Sequence, residues 1–394
     1  MRTLVVTRGT PGCGKSTLID KLNWEPYTLN ADKIRLLYES PCMNHKENKL
    51  CISQKNDKRV WTLLFNLLEE RMERGEFCVI DATHSKSQDF TKYKKLIEKH
   101  RYRAYCIDFS NISIEECKKR NLSREEYKQV PEDVINNMYA RIVTQEVPHY
   151  FKVINHNDIS AINEIINYNS TDVNQYDKII CFGDIHGCYE PLKEYFNNNP
   201  YSENNLYIFT GDYIDRGLQN KEVIEWLLNN YQKNNIWLLQ GNHEKWLINY
   251  ANGEYDEELK EGVKNKCHSD EFFSRTSKQL ECFNKKDLRE LCRKLRQIAY
   301  IEFDNNKFFI SHAGIGYLPK ELIKIASHTF IHSNGKYEDP IDEWWENNEG
   351  INNIYQIHAH RNIQKLPIHP FNHSFNLCDD VEFGGCLRII EIKK

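Results

Sequence analysis

The chain has 394 residues, 40% of them hydrophobic and 28% charged, with a formal net charge of −4. This composition suits folded domains, enough for two, and excludes a disordered polyelectrolyte, a membrane-spanning bundle and a strongly basic coat for nucleic acid. The 13 cysteines include no C-x-x-C pair, which argues against a disulfide framework or a zinc ribbon and for reduced thiols in a cytoplasmic protein.

Residues 1–170 carry 27 Lys and Arg against 23 Asp and Glu, a balance of +4, which leaves −8 for the remainder. The first half is therefore the one suited to polyanions, and any hold on a nucleic acid is expected to be local, at its ends. Met1–Thr7 leads directly into a glycine-rich loop, so no secretory leader is expected.

Apolar runs at 3–7, 77–81 and 103–108 alternate with helical patterns at 15–22, 59–74, 88–99 and 131–142, which predicts βαβ units on a parallel sheet. A strand at 151–155 and a helix at 158–167 would complete a domain of residues 1–170. The polar stretch 171–177 reads as a linker to a second domain, 178–394. From Lys178 five short apolar strands each end in a loop bearing His, Asp or Asn. Residues 251–297 read as helical and polar, with Lys286, Arg289, Arg293 and Arg296 on a solvated face opposite Leu288, Leu291, Cys292 and Leu295; a phosphate-backbone contact is the alternative.

The loop Gly9–Ser16, GTPGCGKS, follows a β-type run and precedes a helix, the context that makes a G-x-x-x-x-G-K-S match meaningful. Gly12 and Gly14 let backbone N–H groups wrap phosphates. Lys15 reaches the transferred group, Ser16 holds Mg²⁺ and Thr17 continues the site, so ATP with Mg²⁺ is the expected cofactor. In NADKIR, Asp32 stands beyond a short second strand, placed to accept the proton of an attacking hydroxyl, or to cap the following helix. Asp81 ends the next strand and is suited to orienting the acceptor or a metal-bound water. Arg120 and Arg124 lie at helical spacing for a lid over ATP phosphates.

These residues, with K-R-N-x-x-R and the V-P-E-D-V-I helix, resemble the kinase domain of phage polynucleotide kinase over about 145 residues. That resemblance implies phosphorylation of 5′-hydroxyl ends of RNA or DNA. It gives Lys15 and Ser16 to phosphate and metal, Asp32 as general base, Arg35 to the acceptor's phosphate or base, and Arg120 and Arg124 to the lid. Residues 40–58 have no counterpart in that pattern.

The second half carries Gly183-Asp-Ile-His-Gly, Gly211-Asp-Tyr-Ile-Asp-Arg-Gly, Gly241-Asn-His-Glu, Ser311-His-Ala-Gly and His358-Ala-His. Two nearby metal ions need a carboxylate between them and mixed imidazole and oxygen donors around them, and these loops supply both. Asp184 and His186 are assigned to one metal, Asp212 to the bridge, and Asn242, His312 and His358 to the other. Water between the metals is the expected nucleophile. Arg216 would clamp phosphate oxygens, and His243, supported by Asp215, would protonate the leaving oxygen.

The set resembles the binuclear metallophosphoesterases, in their serine/threonine phosphatase-like branch, and implies two divalent metals, with Mn²⁺ expected. Ile357 stands where that pattern has glycine, and His360 where it often has proline; whether His360 is a further ligand stays open. The expected fold is α/β: an N-terminal P-loop kinase domain with a parallel sheet, then a calcineurin-like β-sandwich flanked by helices. The fusion resembles bacterial and phage enzymes of RNA end healing, which act with a ligase; here ligation would fall to a separate RNA ligase. A homo-oligomer is compatible with the sequence and no membrane partner is expected. The alternative is a phosphatase for phosphoprotein or dinucleoside polyphosphate whose P-loop half senses nucleotide.

Overall fold

A computed structural model describes residues 2–44, 48–255, 271–333 and 335–394. The chain divides into two compact units, Met1–Tyr168 with Glu321–Ser327, and Asn169–Lys320 with His328–Lys394.

The first unit is built on a five-stranded parallel sheet of order β2-β5-β1-β6-β7. Its strands are β1 (Thr3–Arg8), β2 (Thr28–Asn30), β5 (Phe77–Asp81), β6 (Arg103–Asp108) and β7 (Lys152–Asn155); a separate hairpin is formed by β3 (Cys42–Asn44) and β4 (Lys49–Cys51). Strand β1 is buried along its whole length, as a central parallel strand covered on both faces must be. Leu4, Val6, Cys78, Ile80, Ala104 and Cys106 share one core with Val60, Leu64, Leu68 and Met72 of helix α3 (Asp57–Glu73). Those four recur every fourth residue, the stripe that one helix face presents. Helices α1 (Lys15–Lys21), α2 (Ala31–Tyr38), α4 (Ser87–His100), α5 (Ile114–Leu122) and α6 (Glu132–Thr144) complete the crossovers. The loops after β1, β2 and β5 emerge from one edge of the sheet, the carboxyl ends of its strands, where open α/β sheets hold ligands.

The second unit has two sheets. One has the order β11-β10-β9-β16 and the other β15-β14-β13-β12-β8. The first comprises β9 (Lys178–Phe182), β10 (Asn205–Phe209), β11 (Ile236–Leu238) and the antiparallel β16 (Ile389–Lys393). The second comprises β8 (Thr171–Asp172), β12 (Ala299–Phe303), β13 (Asn306–Ile310), β14 (Ile354–His358) and β15 (Ser374–Asn376). Side chains alternate across each strand. Ile179 and Cys181 face Ala299, Ile301, Ile310 and Ile357 between the sheets, whereas Ile180 and Phe182 face Leu192, Val223 and Leu227 of the covering helices. This is a helix-flanked sandwich.

Two readings of the chain's organisation are corrected. Residues 171–177 are not a linker: Thr171 and Asp172 extend the second sheet by pairing in parallel with Ile301 and Glu302, and Val173 is fully buried. The basic helix is Lys285–Lys294, with Leu288, Leu291 and Cys292 buried; Arg296 lies beyond its end, over the Trp237 ring at 3.8 Å. Arg289 donates to the Ala251 carbonyl. The 256–270 part of the predicted helical region lies outside the described residues.

Candidate functional site

In the first unit, the loop after β1 wraps into α1 through Gly12 and Gly14, both at positive φ. A Cβ on Gly12 would stand 2.3 Å from the Cys117 carbonyl oxygen, so the close approach of loop and α5 requires glycine. Lys15 Nζ donates to the Gly9 and Thr10 carbonyls at 2.8 and 3.1 Å. Around the loop opens a cavity of about 700 Å³, large enough for a nucleoside triphosphate, lined by Gly12, Gly14, Lys15, Ser16, Thr17, Asp32, Asp81, Arg120 and Arg124.

Asp81 is buried at the end of β5 and accepts from Ser16 Oγ (2.8 Å) and Asn30 Nδ2 (3.0 Å). It is thus grouped with the Ser16 hydroxyl, and these oxygens are the hard donor set that suits Mg²⁺. Asn30, not Asp32, caps α2, its Oδ1 accepting from Lys33 N. Asp32, half-exposed on the cavity wall, has no capping duty. Its Oδ1 takes a bond from Arg35 Nη1 at 2.6 Å, and Arg35 Nη2 donates to Asp57. Arg35, expected at the acceptor, does not line the cavity; between two carboxylates it orients Asp32. Arg120 bonds Glu116 and reaches back to the Cys13 carbonyl at 3.3 Å, so α5 leans over the phosphate loop through this arginine.

Sequence patterns missed His84 behind this cavity, fully desolvated between the Thr7 carbonyl (2.6 Å) and Tyr93 Oη (2.9 Å). Burial lowers its pKa, so it is a neutral structural pin between β1 and α4.

In the second unit, β9, β10, β11, β13 and β14 deliver Asp184 and His186, Asp212, Asn242 and His243, His312, and His360 to one buried centre. His186, Asp212, Asp215 and Arg216 all have positive φ, a costly backbone for non-glycine residues that here turns several side chains inward from tight loops. At Gly211 (φ 117°) a Cβ would lie 2.4 Å from Gly241 N, which keeps the β10 and β11 loops in contact. Glu244, the last residue of the Gly241-Asn-His-Glu motif and given no role from sequence, ties them from below: its carboxylate accepts from Asp212 N, Tyr213 N and Gly241 N at 2.7–2.9 Å.

Donor atoms form two groups, His186 with Asp212 and His243, and Asp212 with His312 and His360. Asp212 belongs to both, the position a bridging carboxylate needs. His312 Nε2 lies 3.3 Å from Asp212 Oδ2, 3.0 Å from Asn242 Oδ1 and 3.1 Å from His360 Nδ1. Asp184 is buried, one oxygen accepting from His360 N and the other without a hydrogen bond, 3.6 Å from His312 Nδ1. His186 Nδ1 faces the Ile214 carbonyl, which leaves Nε2 toward Asp212, 3.4 Å away.

His358, expected as a ligand, is not in either group. It is still on the β14 ladder opposite Asn376, and its Nε2 meets Asp342 at 2.8 Å, where Ser374 and Asn376 also bond. His360, two residues on and at φ 66°, has left the strand and turns into the centre. His360→Ala is expected to cut phosphatase activity and bound metal by at least the roughly 10–100-fold that even an outer partner of a metal costs. His358→Phe should keep its metal but lose about 1–3 kcal/mol of stability, because the buried Asp342 carboxylate loses one of its three hydrogen bonds. Metal analysis and thermal melts of the two variants check this.

Electrostatics fit a cation pair. Burial lifts Asp184 to about 7 and lowers His186 to about 4 and His360 to about 2. Burial also works to raise Asp212, but His312, His243 and His186 together hold it well below the ordinary carboxylate range, and Asp212 in turn lifts His312 to about 9 against its own desolvation. The Asp184 oxygen that lacks a hydrogen bond, and imidazole nitrogens crowded against carboxylate, amide and imidazole atoms, are donors for which bound divalent ions are the natural partners. Asp184, His186, Asp212, Asn242, His312 and His360 would hold them.

Flanking the centre, His243 Nδ1 bonds Asp215 Oδ2 at 2.7 Å, and Thr276 Oγ1 donates to the other Asp215 oxygen at 2.5 Å. Despite burial, the bond to Asp215 and the charge of Asp212 raise the His243 pKa and favour the protonated, acid form. Arg216, 37% exposed, is held by Glu382 at 2.6 Å. The Glu382 side chain is only 1% exposed, so it anchors one edge of the guanidinium and leaves the rest for an anion. Nothing in the sequence around Glu382 marked it. Glu382→Ala should raise the KM for p-nitrophenyl phosphate about tenfold with kcat little changed, and should add nothing to Arg216→Ala.

Comparison with known proteins agrees with this division. Residues 4–144 match the model of an AAA domain, and residues 177–379 match that of the calcineurin-like phosphoesterases. The chain belongs to the calcineurin-like phosphoesterase family, joined to a P-loop kinase-like domain. Similar solved structures include a cold-active protein-tyrosine phosphatase of a psychrophile, Shewanella sp., at 15% identity over 59% of this chain and 80% of that one, with a TM-score of 0.40. Another is a protein serine/threonine phosphatase from Saccharomyces cerevisiae with similarity to human phosphatase PP5, at 16% identity over 56% and 75%, with a TM-score of 0.34. At these values neither neighbour says what this chain acts on. Among the described residues no helix is long and apolar enough to cross a membrane.

Proposed function

We propose that this protein is a bifunctional polynucleotide kinase and phosphatase, which phosphorylates 5′-hydroxyl ends with ATP and removes 3′-phosphate or 2′,3′-cyclic phosphate, with RNA ends as its substrate. The observation that carries the reading is Asp32: a half-exposed carboxylate on the wall of the nucleotide cavity, oriented by Arg35 and freed from capping by Asn30. A nucleotide sensor needs the phosphate loop but not a base facing an acceptor. A kinase and a phosphatase acting on one group would only consume ATP, so the two are best matched to different ends of one strand.

In the kinase half, the loop amides and Lys15 hold the phosphates, Arg120 and Arg124 close over them, and Asp32 takes the hydroxyl proton as the new ester bond to the γ-phosphorus forms and the bond to the departing ADP breaks. Mg²⁺, when bound beside Ser16 and Asp81, neutralises charge on the phosphates. In the phosphatase half, Arg216 orients the substrate phosphoryl group and His243 gives its proton to the departing oxygen, with Asp215 holding the ring. Two divalent ions, Mn²⁺ by preference, would be held by Asp184, His186, Asp212, Asn242, His312 and His360 and would supply Lewis acidity and a nucleophile at neutral pH. Joining of the healed ends falls to a separate RNA ligase, and the enzyme works in the cytoplasm, that of the host if the source is viral.

The test offers labelled oligonucleotides with 5′-hydroxyl or 3′-phosphate ends, together with ATP, Mg²⁺ and Mn²⁺. Conversion at both ends supports the proposal. Inert oligonucleotides beside rapid turnover of phosphoprotein or dinucleoside polyphosphate would replace it with a nucleotide-sensing phosphatase, and intrinsic joining would remove the separate ligase.

A further inference from the structure

Residues 40–58 lie outside the pattern on which the kinase reading rests, yet among their described residues Cys42–Asn44 and Lys49–Cys51 pair as the strands of the β3–β4 hairpin. In it Cys42 and Cys51 are directly opposed across the antiparallel ladder. Their Sγ atoms face each other at 3.9 Å, and both residues are partly exposed. Opposed antiparallel residues have Cα atoms about 4.5–5.5 Å apart, inside the roughly 4.4–6.8 Å that a disulfide spans. Side-chain rotation can therefore close the bond while the backbone stays paired.

Seven other described cysteines differ. Burial raises the thiols of Cys78, Cys106, Cys117, Cys181 and Cys378, which keeps them protonated and inert. Cys282 and Cys386 are exposed. The Cys42–Cys51 pair combines access with a resolving partner at hand.

The hairpin also occupies a telling place. Asn44, Lys49, Leu50 and Cys51 form one wall of a cavity of about 410 Å³, whose other walls include Asn121 and Val130; Val130 also lines the nucleotide cavity. Strand β4 packs on Glu126–Lys128, the turn between α5 and α6. A covalent change in the hairpin thus falls on the wall of a cavity that shares Val130 with the lining of the phosphate-loop cavity.

We propose that Cys42 and Cys51 form a redox-active dithiol, a modification site that closes to a disulfide by exchange with a low-molecular-weight disulfide such as oxidised glutathione. One thiolate attacks a sulfur of that disulfide and expels a glutathione thiolate, which gives a mixed disulfide. The second thiolate then attacks the protein-bound sulfur and expels the other glutathione. Two protein thiols are oxidised and one small disulfide is reduced to two thiols, the two protein thiol protons passing through solvent to the two expelled glutathione thiolates. Because such a bond would be partly exposed, reducing thiols can reopen it. This inference does not depend on what the kinase half phosphorylates.

The test uses the full chain in its native state, equilibrated in glutathione redox buffers, quenched with acid, blocked with N-ethylmaleimide and digested with trypsin, which also cuts within the hairpin after Lys49. The expected product is a pair of peptides joined through Cys42 and Cys51, formed at a more reducing poise than any glutathione adduct of Cys282 or Cys386, and lost on reduction. Cys42→Ser should leave Cys51 as a stable glutathione adduct, and Cys51→Ser should do the same for Cys42. Separate adducts on both cysteines of the unsubstituted chain, or maleimide labelling of both throughout the redox range, would overturn the proposal.

Discussion

Asp212→Ala is expected to abolish phosphatase activity, by about 10³-fold or more, and to empty both metal positions together, because this carboxylate alone is common to the two donor groups. The fold should survive. Burial first, and after it like-charge repulsion from Asp212, raises the pKa of Asp184 and Glu244, so removing Asp212 relieves part of that penalty on two buried carboxylates while leaving their backbone partners in place. Metal content measured on the purified variant, with p-nitrophenyl phosphate as a substrate that needs no nucleic acid, gives the outcome directly. A variant that retained one equivalent of tightly bound metal would remove Asp212 from the bridging role. On the proposed function, phosphorylation of 5′-hydroxyl ends should continue at the parent rate.

Lys15→Ala gives the complementary result, a loss of roughly 10²–10³-fold in phosphoryl transfer, the scale on which a single preorganised charge at the reacting group acts. Lys15 Nζ meets the Gly9 and Thr10 carbonyls and the Cys13 sulfur, all within its own loop, so the substitution deletes a charge without leaving a distant partner orphaned. Thermal stability should therefore change little, and metal-dependent release of phosphate should persist. Loss of both activities in either variant would show that the two centres are coupled.

How far these sites could be read in advance depended on the range of the interactions. The phosphate loop and the Asp-x-His and Asp-x-x-Asp-Arg motifs were legible because strand, tight turn and functional side chain are contiguous, so spacing alone implies geometry. The choice between His358 and His360 was not, since both are histidines two residues apart. What separates them is where β14 ends, and Asn376 and Asp342, distant in sequence, decide that. Glu382 and Thr276 were invisible for the same reason: each acts on a motif residue through one long-range contact, with no local pattern around it. Asp32 was found from a motif. Its release from capping, and the turn of Arg35 away from the cavity toward Asp57, needed the third dimension. Residues 171–177 looked like a spacer because a two-residue strand is too short to show periodicity.

Strand β16 covers the free flank of β9, the strand that leads to Asp184 and His186, with five consecutive pairings from Ile389 to Lys393. It is also the last strand of its sheet to be synthesised, long after β9, β10 and β11 have left the ribosome. Until then the nascent chain carries an unpaired flank of buried-type sequence, Ile179 to Phe182, open to any neighbouring extended segment. Recombinant yield of this half should therefore respond strongly to translation speed and to chaperone supply, and a stop codon placed ahead of Ile389 should send the product into inclusion bodies although every motif residue is still encoded.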